Sequence, residues 1–409
     1  MASKSIVVAG GGFAGVWAAA AAARVRQDAG LDENDIRISL ISKGPFLEIR
    51  PRLYEASPDT MKISLKDILG PAMVEDRICE IVEIETNTSK PKITLKGGET
   101  IEADQLVLAT GSQLVRPIQK SIKRILFDID TVDAATQLDD HIKSLANSTQ
   151  EGQWTVVVVG SGFTGTELAT ELPSKLRAAG APEDEFRVVM VERSDAIAPE
   201  LGATMRPTIL DAFDNFNIEL KLSSTVESAD SNCVLLSNGD VIASQTLVWT
   251  AGMRASPLAT AIGANVDELG RLRVDRFLAV DGVANTFAAG DVATADADNG
   301  HCTLQSCQHA QMLGRFAGYN AATKLVGGEP MAYSQPFYVT CLDLGEYGAL
   351  LSYGWDRKVV RTGKDAKKIK ELINQRLIYP PQNDASALLA AAAPMVREAE
   401  DGIQRLLSA

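Results

Sequence analysis

The feature that most constrains this chain is a phrase it uses twice. "KSIVVAGGGFAG" occupies residues 4–15 and "WTVVVVGSGFTG" residues 154–165, an offset of 150. Each reads as an apolar β-rich run, then Gly-x-Gly-x-x-Gly, then a helix-forming stretch. In that order the glycines have separate tasks: Gly10 and Gly160 permit the tight turn, Gly12 and Gly162 let an anion approach the backbone, and Gly15 and Gly165 let helix pack on strand. The loop residues Phe13, Ala14, Phe163 and Thr164 then present first-turn N–H groups and the positive end of a helix dipole to a phosphate.

One such loop on its own serves a turn as readily as a ligand, but here the correspondence continues. "IRISLIS" ends at Ser42 and "FRVVMVE" at Glu192, each 32 residues after its first glycine, where a ribose-binding group belongs. Glu192 suits an adenosine ribose diol and would repel a 2′-phosphate, which favours NADH. Arg193 follows it and suits a 2′-phosphate, so NADPH stays open. The first copy offers Ser42 and Lys43 instead. A second echo pairs "TLKGGETIEADQLVLATG", ending at Gly111, with "LLSNGDVIASQTLVWTAG", ending at Gly252, at an offset of 141. Each half is therefore expected to be a βαβ unit, a small antiparallel meander, and a last strand returning to the parallel sheet. Further on, "TFAAGD" places Gly290 and Asp291 at the C-terminal end of a strand, where open α/β sheets bind ligands. Asp291 there suits a ribityl hydroxyl or the cap of a following helix.

Composition enters as an exclusion. With a formal net charge of −13, the chain has no broad cationic surface for nucleic acid or for charge-driven membrane docking. Five cysteines without a CxxC read as reduced thiols in a cytoplasmic protein. Residues 5–23 have the apolarity of a leader or span but are broken by glycines, so no targeting segment is expected. His301 has no second partner in the sequence, and no metal is expected.

The set Gly10–Gly15, "LVLATGS" at 106–112 with Ala109, Thr110 and Gly111, Gly160–Gly165 with Glu167, "VWTAG" at 248–252, and "AAGD" at 288–291 resembles the two-dinucleotide flavoproteins of the pyridine nucleotide-disulfide oxidoreductase superfamily. The resemblance implies an α/β fold with two Rossmann-like domains, as in glutathione reductase, plus a small C-terminal α+β region. The expected division is 1–116 with 253–330 for FAD, 117–252 for NAD(P)H, and 331–409 as an interface or acceptor-side region. It implies FAD on the first glycine loop and at Asp291, and NADH or NADPH on the second. The redox-disulfide branch needs cysteines after the first ribose strand, and residues 42–65 contain none. "RPRLYEAS" at 50–57, with Arg50, is similar to type II NADH dehydrogenases. "DLGEYGALLSYGW" and "INQRLIYPPQ" look more like apoptosis-inducing-factor-like and ferroptosis-suppressor-like quinone reductases. "CQHAQMLG" at 307–314 keeps only part of the glutamine-rich quinone helix of the former group.

The implied reaction carries hydride from NADH to flavin N5 and passes electrons to a quinone-like small acceptor. Two alternatives stay open: a reductase for a protein or a specific metabolite, and a FAD-bound interaction protein with vestigial redox activity. Glu167 is expected near the nicotinamide. Gln308 and His309, at a helix start near Gln305, are expected to donate to the reduced flavin. Cys302 and Cys307 form a close pair that either packs a turn or relays electrons. From residue 331 the pattern reads as two or three strands with glycine turns, whose aromatics Phe337, Tyr338, Tyr347, Tyr353 and Trp355 either pack a core or line the acceptor pocket. "AKKIKELINQRL" reads as an exposed helix, and the tail "ASALLAAAAPMVREAEDGIQRLLSA" as a packed helix with at most peripheral membrane contact. The resemblance also allows a homodimer contact through the C-terminal region.

Overall fold

The computed structural model describes residues 3–116, 121–297, 300–336 and 338–395 of the chain. Two parallel sheets repeat one plan. The first runs Thr286–Ala288, Gln105–Leu108, Lys4–Ala9, Ile36–Ser42, Glu75–Ile78, and every pairing is parallel. The second runs Glu219–Lys221, Arg187–Val191, Thr155–Val159, Thr246–Trp249, again all parallel. In both, the strand entering the glycine loop is central and covered on both faces. That is why "SIVVA" and "TVVVV" are continuous apolar runs rather than alternating ones. The echoed meanders are two three-stranded antiparallel sheets, Ile81–Glu85 with Lys92–Leu95 and Thr100–Glu102, and Val226–Ala229 with Cys233–Leu236 and Val241–Ala243. Strand Ser112–Leu114 pairs antiparallel with Met253–Ala255, so the outgoing and returning chain form one two-stranded joint between the units.

Helix Phe13–Asp28 has almost no polar face. Ala18–Ala23 are buried because the sheet covers one side and helix Cys307–Val326 covers the other. The two helices meet backbone to backbone: a Cβ on Gly314 would stand 2.3 Å from the Ala14 carbonyl oxygen, and one on Gly318 1.9 Å from that of Ala18. Arg26, buried at the end of the first helix, donates to the carbonyls of Ile36, Ala72 and Met73. The tail helix Ala385–Ala391 buries Leu388 and Leu389 on this side of the molecule, and Arg24 donates to the Leu389 carbonyl. Residues 396–409, most of the expected tail helix, lie outside the described residues.

The C-terminal region is a three-stranded antiparallel sheet, Val339–Asp343, Ala349–Tyr353 and Lys358–Thr362, backed by helix Gly363–Leu372. That helix corrects the expectation of an exposed one. Ala366, Ile369 and Lys370 are buried against the sheet, since positions i, i+3 and i+4 share a helix face. It ends in a π-helical turn, Ile373–Leu377, that carries Asn374 inward. Among the described residues no helix is long and apolar enough to cross a membrane.

Candidate active site at two glycine cradles

The first cradle is built from contacts that only glycine permits. Gly10 sits at φ +117°, and a Cβ there would stand 2.2 Å from the Ala109 carbonyl oxygen. A Cβ on Gly15 would stand 1.8 Å from the Gly10 carbonyl oxygen. Gly12 is different, for nothing lies within 4 Å of its missing Cβ. It caps helix Phe13–Asp28 without a side-chain bond, so the first-turn N–H groups of the helix face the open side of the loop. Ser42 Oγ packs against Gly11, and Gly290 packs against Ala14. The Thr110 hydroxyl is buried with no partner. An open glycine, an uncapped helix start and an orphaned hydroxyl fit a phosphate-bearing dinucleotide. Lys43 is turned outward to Glu80 at 3.4 Å, and its side chain is 81% exposed.

Beside this loop stands a polar cluster. Ser112 donates to Asp291 Oδ2 at 2.6 Å, and the Arg50 guanidinium lies 3.7 Å from the same oxygen. Arg50 also pairs with Asp130, whose other oxygen accepts from the Leu114 N–H in the inter-unit joint. Asp291 lies in a single 3-10 turn, Gly290–Val292. The helix it was expected to cap begins only at Cys307, with Ser306 as its cap. Ser112 and Asp130 were not singled out in the sequence. Ser112 closes the "LVLATGS" run and was legible there; Asp130 had no signal.

The second cradle repeats the first. Gly160 is at φ +100°, and its Cβ would meet that of Ala251 at 2.7 Å. Gly162 caps helix Phe163–Ala178 without a side-chain bond, and the nearest atom to its missing Cβ is Glu200 Oε2, 3.8 Å away. Glu192 is 6% exposed. Its Oε2 accepts from the Ser161 N–H and hydroxyl at 2.9 and 2.8 Å, and its Oε1 from the Ser194 N–H at 2.9 Å. Burial pushes its carboxyl up, but these donors outweigh burial and hold it below the ordinary value. Glu192 thus ties the glycine loop to the end of the neighbouring strand through both its oxygens. Arg193 next to it is exposed. Gly252, at φ +85°, ends the returning strand near Val115.

Between the cradles lies a buried charged network that the sequence only half disclosed. Glu167 is 3% exposed, and its Oε1 accepts from the Asp343 N–H at 2.9 Å and from Lys370 Nζ at 2.7 Å. Lys370 also donates to the Cys341 carbonyl and lies 5.6 and 5.5 Å from the rings of Tyr54 and Phe163. The Tyr54 hydroxyl donates to Asp343 Oδ2 at 2.9 Å, and Asn374 donates to Tyr54 and to Glu55. Burial raises the Glu167 carboxyl to about 7, against the pull of Lys370, while Glu167 and Asp343 keep Lys370 charged despite its burial. Glu171, one turn on from Glu167, is raised to about 7, first by burial and then by Asp343. Lys370 had a signal, its place in the Ala366–Ile369 stripe; Asp343 and Asn374 had none.

The helix start at Cys307 completes the centre. Gln305 donates to the Asp291 carbonyl at 3.2 Å. Gln308 Oε1 accepts from the Val339 N–H, so that side chain is turned to the C-terminal sheet. His309 is fully buried, its Nδ1 2.9 Å from Ser306 Oγ and its ring beside Tyr338 and Trp355. The sequence set Gln308 and His309 toward the flavin; both side chains here approach the C-terminal sheet. Burial raises the Cys307 thiol to about 11 and the Cys341 thiol to about 12, whereas Cys302 is exposed. Phe337 lies outside the described residues, and Tyr347 and Tyr353 are half-buried.

The sequence profile of the family described as pyridine nucleotide-disulphide oxidoreductase matches residues 4–314. An NADH dehydrogenase-like protein of Mycobacterium tuberculosis is 42% identical over 396 residues, covering 96% of this chain and 98% of its own. A type II NADH:quinone oxidoreductase of Staphylococcus saprophyticus is 25% identical, covering 92% of this chain and 95% of its own. Among solved structures, NDH2 of Plasmodium falciparum in complex with NADH superposes with a TM-score of 0.73 at 12% identity, over 92% of this chain and 95% of its own, a likeness of fold.

Proposed function

Because this chain belongs to the pyridine nucleotide-disulphide oxidoreductase family, we propose that it is a flavoprotein that oxidises NADH and reduces a quinone-class acceptor. The observation that carries this is the pair of open, uncapped cradles at Gly12 and Gly162, each ending a central strand of its own parallel sheet. The two-electron chemistry, hydride acceptance and onward transfer, would be supplied by FAD held in the first cradle.

The chain's own residues bind, orient and hold protons. The Gly10–Gly15 loop would hold the pyrophosphate of FAD, and Ser42 would bond its adenosine ribose. Asp291, fixed by Ser112 and Arg50, would accept from a hydroxyl of its ribityl chain. Ala109, Thr110 and Gly111 form the opposite wall. The Gly160–Gly165 loop holds the pyrophosphate of NADH, and buried, hydrogen-bonded Glu192 disfavours a 2′-phosphate beside it. Quinone reduction by NADH consumes one proton from solvent. Glu167 is a fully buried group able to carry a proton near neutral pH, at Oε2, because Oε1 is occupied by Lys370 and the Asp343 N–H, and half-buried Glu171 one turn on is raised to the same range. A dithiol relay is disfavoured, since the Cys307 thiol stays protonated at neutral pH.

The division into a FAD unit, 1–116 with 253–330, and an NADH unit, 117–252, is supported by the two sheets and the ribbon joining them. The reading also includes a cytoplasmic protein with at most peripheral membrane contact, and a C-terminal region available for a dimer contact. The test is the absorption spectrum of the purified protein under anaerobic conditions. Flavin bands that bleach with NADH and return on adding a soluble naphthoquinone are expected. A colourless protein, or bands that NADH leaves unchanged, would overturn the proposal.

A further inference from the structure

The two cradles differ at one place, and the difference is a charge. Nothing lies within 4 Å of the missing Cβ at Gly12, whereas Glu200 Oε2 stands 3.8 Å from that at Gly162. Gly162 starts helix Phe163–Ala178 without a side-chain bond to the first-turn N–H groups. A carboxylate of the chain itself thus stands at a helix N-terminus that attracts anions. Glu200 is exposed, and no hydrogen bond or ion pair from another described residue holds its carboxylate.

The backbone beneath Glu200 is fixed. Glu200 lies in a single 3-10 turn, Pro199–Leu201, between buried Ala198 and buried Leu201. Ala198 adopts a left-handed backbone, φ +49°, which residues with a Cβ rarely do. Its N–H donates to Ser161 Oγ at 2.9 Å, and the Ser161 hydroxyl donates to Glu192. Ser161 is part of the glycine loop, so the turn is tied to the cradle itself. Arg206 donates to the Ile197 carbonyl at 3.1 Å, and Thr204 to the Arg357 carbonyl at 2.8 Å. The Glu200 side chain can turn about its own bonds while this backbone stays in place.

The first unit puts the opposite charge at the equivalent position. Ser42 and Glu192 correspond at the offset of 150, and eight residues beyond them stand Arg50 and Glu200. Both lie in a 3-10 turn, Arg50–Arg52 in one unit and Pro199–Leu201 in the other. In the first unit the turn contributes a cation, paired with Asp130 and Asp291, beside the cradle. In the second it contributes a carboxylate. A diphosphate is attracted by the one and repelled by the other. The cradle read as holding a resident dinucleotide has the cation, and the cradle whose dinucleotide must leave in every turnover has the anion.

We propose that Glu200 is a built-in competitor for the pyrophosphate of the nicotinamide dinucleotide: its carboxylate turns aside when NADH enters, and its repulsion of the bound pyrophosphate speeds the departure of NAD+. This rests on the NADH reading above and adds to it a control on exchange at the same cradle.

The test uses the full FAD-loaded protein and compares Glu200→Gln with the parent. Glu268→Gln, the same change of charge at an exposed position in the returning segment of the other unit, is the control. Calorimetric titration with NAD+ reads the Kd without turnover. At about 0.1 M salt, where the screening length is about 10 Å, Glu200→Gln should lower the Kd about three- to tenfold, with a slower dissociation rate. At about 1 M salt, where that length is about 3 Å, the gain should shrink below about twofold. Glu200→Asp, whose shorter arm draws the carboxylate away from Gly162, should show a smaller gain, and Glu268→Gln none. An unchanged Kd in Glu200→Gln would overturn the proposal. So would a raised Kd, which would make Glu200 a ligand of the dinucleotide, or a gain that persists at about 1 M salt. Failure of NADH to bleach the parent would instead refute the underlying function.

Discussion

Replacing Lys370 by Met is the sharpest perturbation of the centre. The substitution keeps most of the side-chain volume but removes the cation paired with Glu167 at 2.7 Å, both groups being about 95% buried. Glu167 then retains the Asp343 N–H and sits near a second carboxylate. Stranding one member of a buried pair costs about 3–5 kcal/mol when the survivor stays charged. At roughly 2–4 °C per kcal/mol for units of this size, the melting temperature should fall by roughly 6–20 °C. The loss should depend on pH, and its sign can be worked out. The folded Glu167 carboxyl is raised from 4.5 to about 7, so the folded chain holds a proton that the unfolded chain has lost between those values. This group's share of stability is full below 4.5 and is lost as pH rises through about 7. Without Lys370 the folded value moves further up, so the decline continues to higher pH and the deficit against the parent opens above neutrality. Thermal unfolding of the FAD-loaded protein from pH 5 to 9 measures this. Glu167→Gln combined with Lys370→Met should recover most of the lost stability at pH 8, because neither member of the pair is then left as an unpaired buried charge, and Asp343 keeps Lys367 and Tyr54. A deficit independent of pH, or a double variant no more stable at pH 8 than Lys370→Met alone, would refute the reasoning.

Two further outcomes are expected. Gly12→Val adds a side chain where the protein places no atom within 4 Å, so the fold should be kept while FAD binding weakens at least tenfold, read by flavin content and circular dichroism; Gly10→Val, aimed into Ala109, should damage both. Iodoacetamide at pH 7.5 should label Cys302 faster than half-buried Cys307, whose thiol is raised to about 11 by desolvation, and Cys302→Ser should leave NADH oxidation unchanged within twofold; peptide mass analysis and steady-state rates check this.

How much of this was legible in the sequence depended on whether a feature is written locally. Each cradle is about a dozen consecutive residues, and the tasks of Gly10, Gly12 and Gly15 are enforced by backbone contacts within that stretch or with one returning strand. The phrase therefore specifies its own geometry. The place of Asp291 was legible because "TFAAGD" writes a short parallel strand and the turn that ends it in consecutive residues. The proton-holding network is written differently. Glu167 belongs to the second phrase, but Tyr54 comes from the first unit, and Lys370, Asp343 and Asn374 come from a region with no echo elsewhere in the chain. Their meeting is fixed by how the C-terminal sheet docks over both units, and no spacing records that. The aromatic cluster around His309 shows the same limit from the other side. Tyr338 and Trp355 were visible as aromatics, and His309 as a residue of the helix start. Only the register of Val339–Asp343 against Ala349–Tyr353 brings them together and leaves two ring nitrogens without a partner among the described residues. The repeated cradles are thus written in the sequence itself, whereas the contacts of the unrepeated C-terminal segment are written only in how it docks.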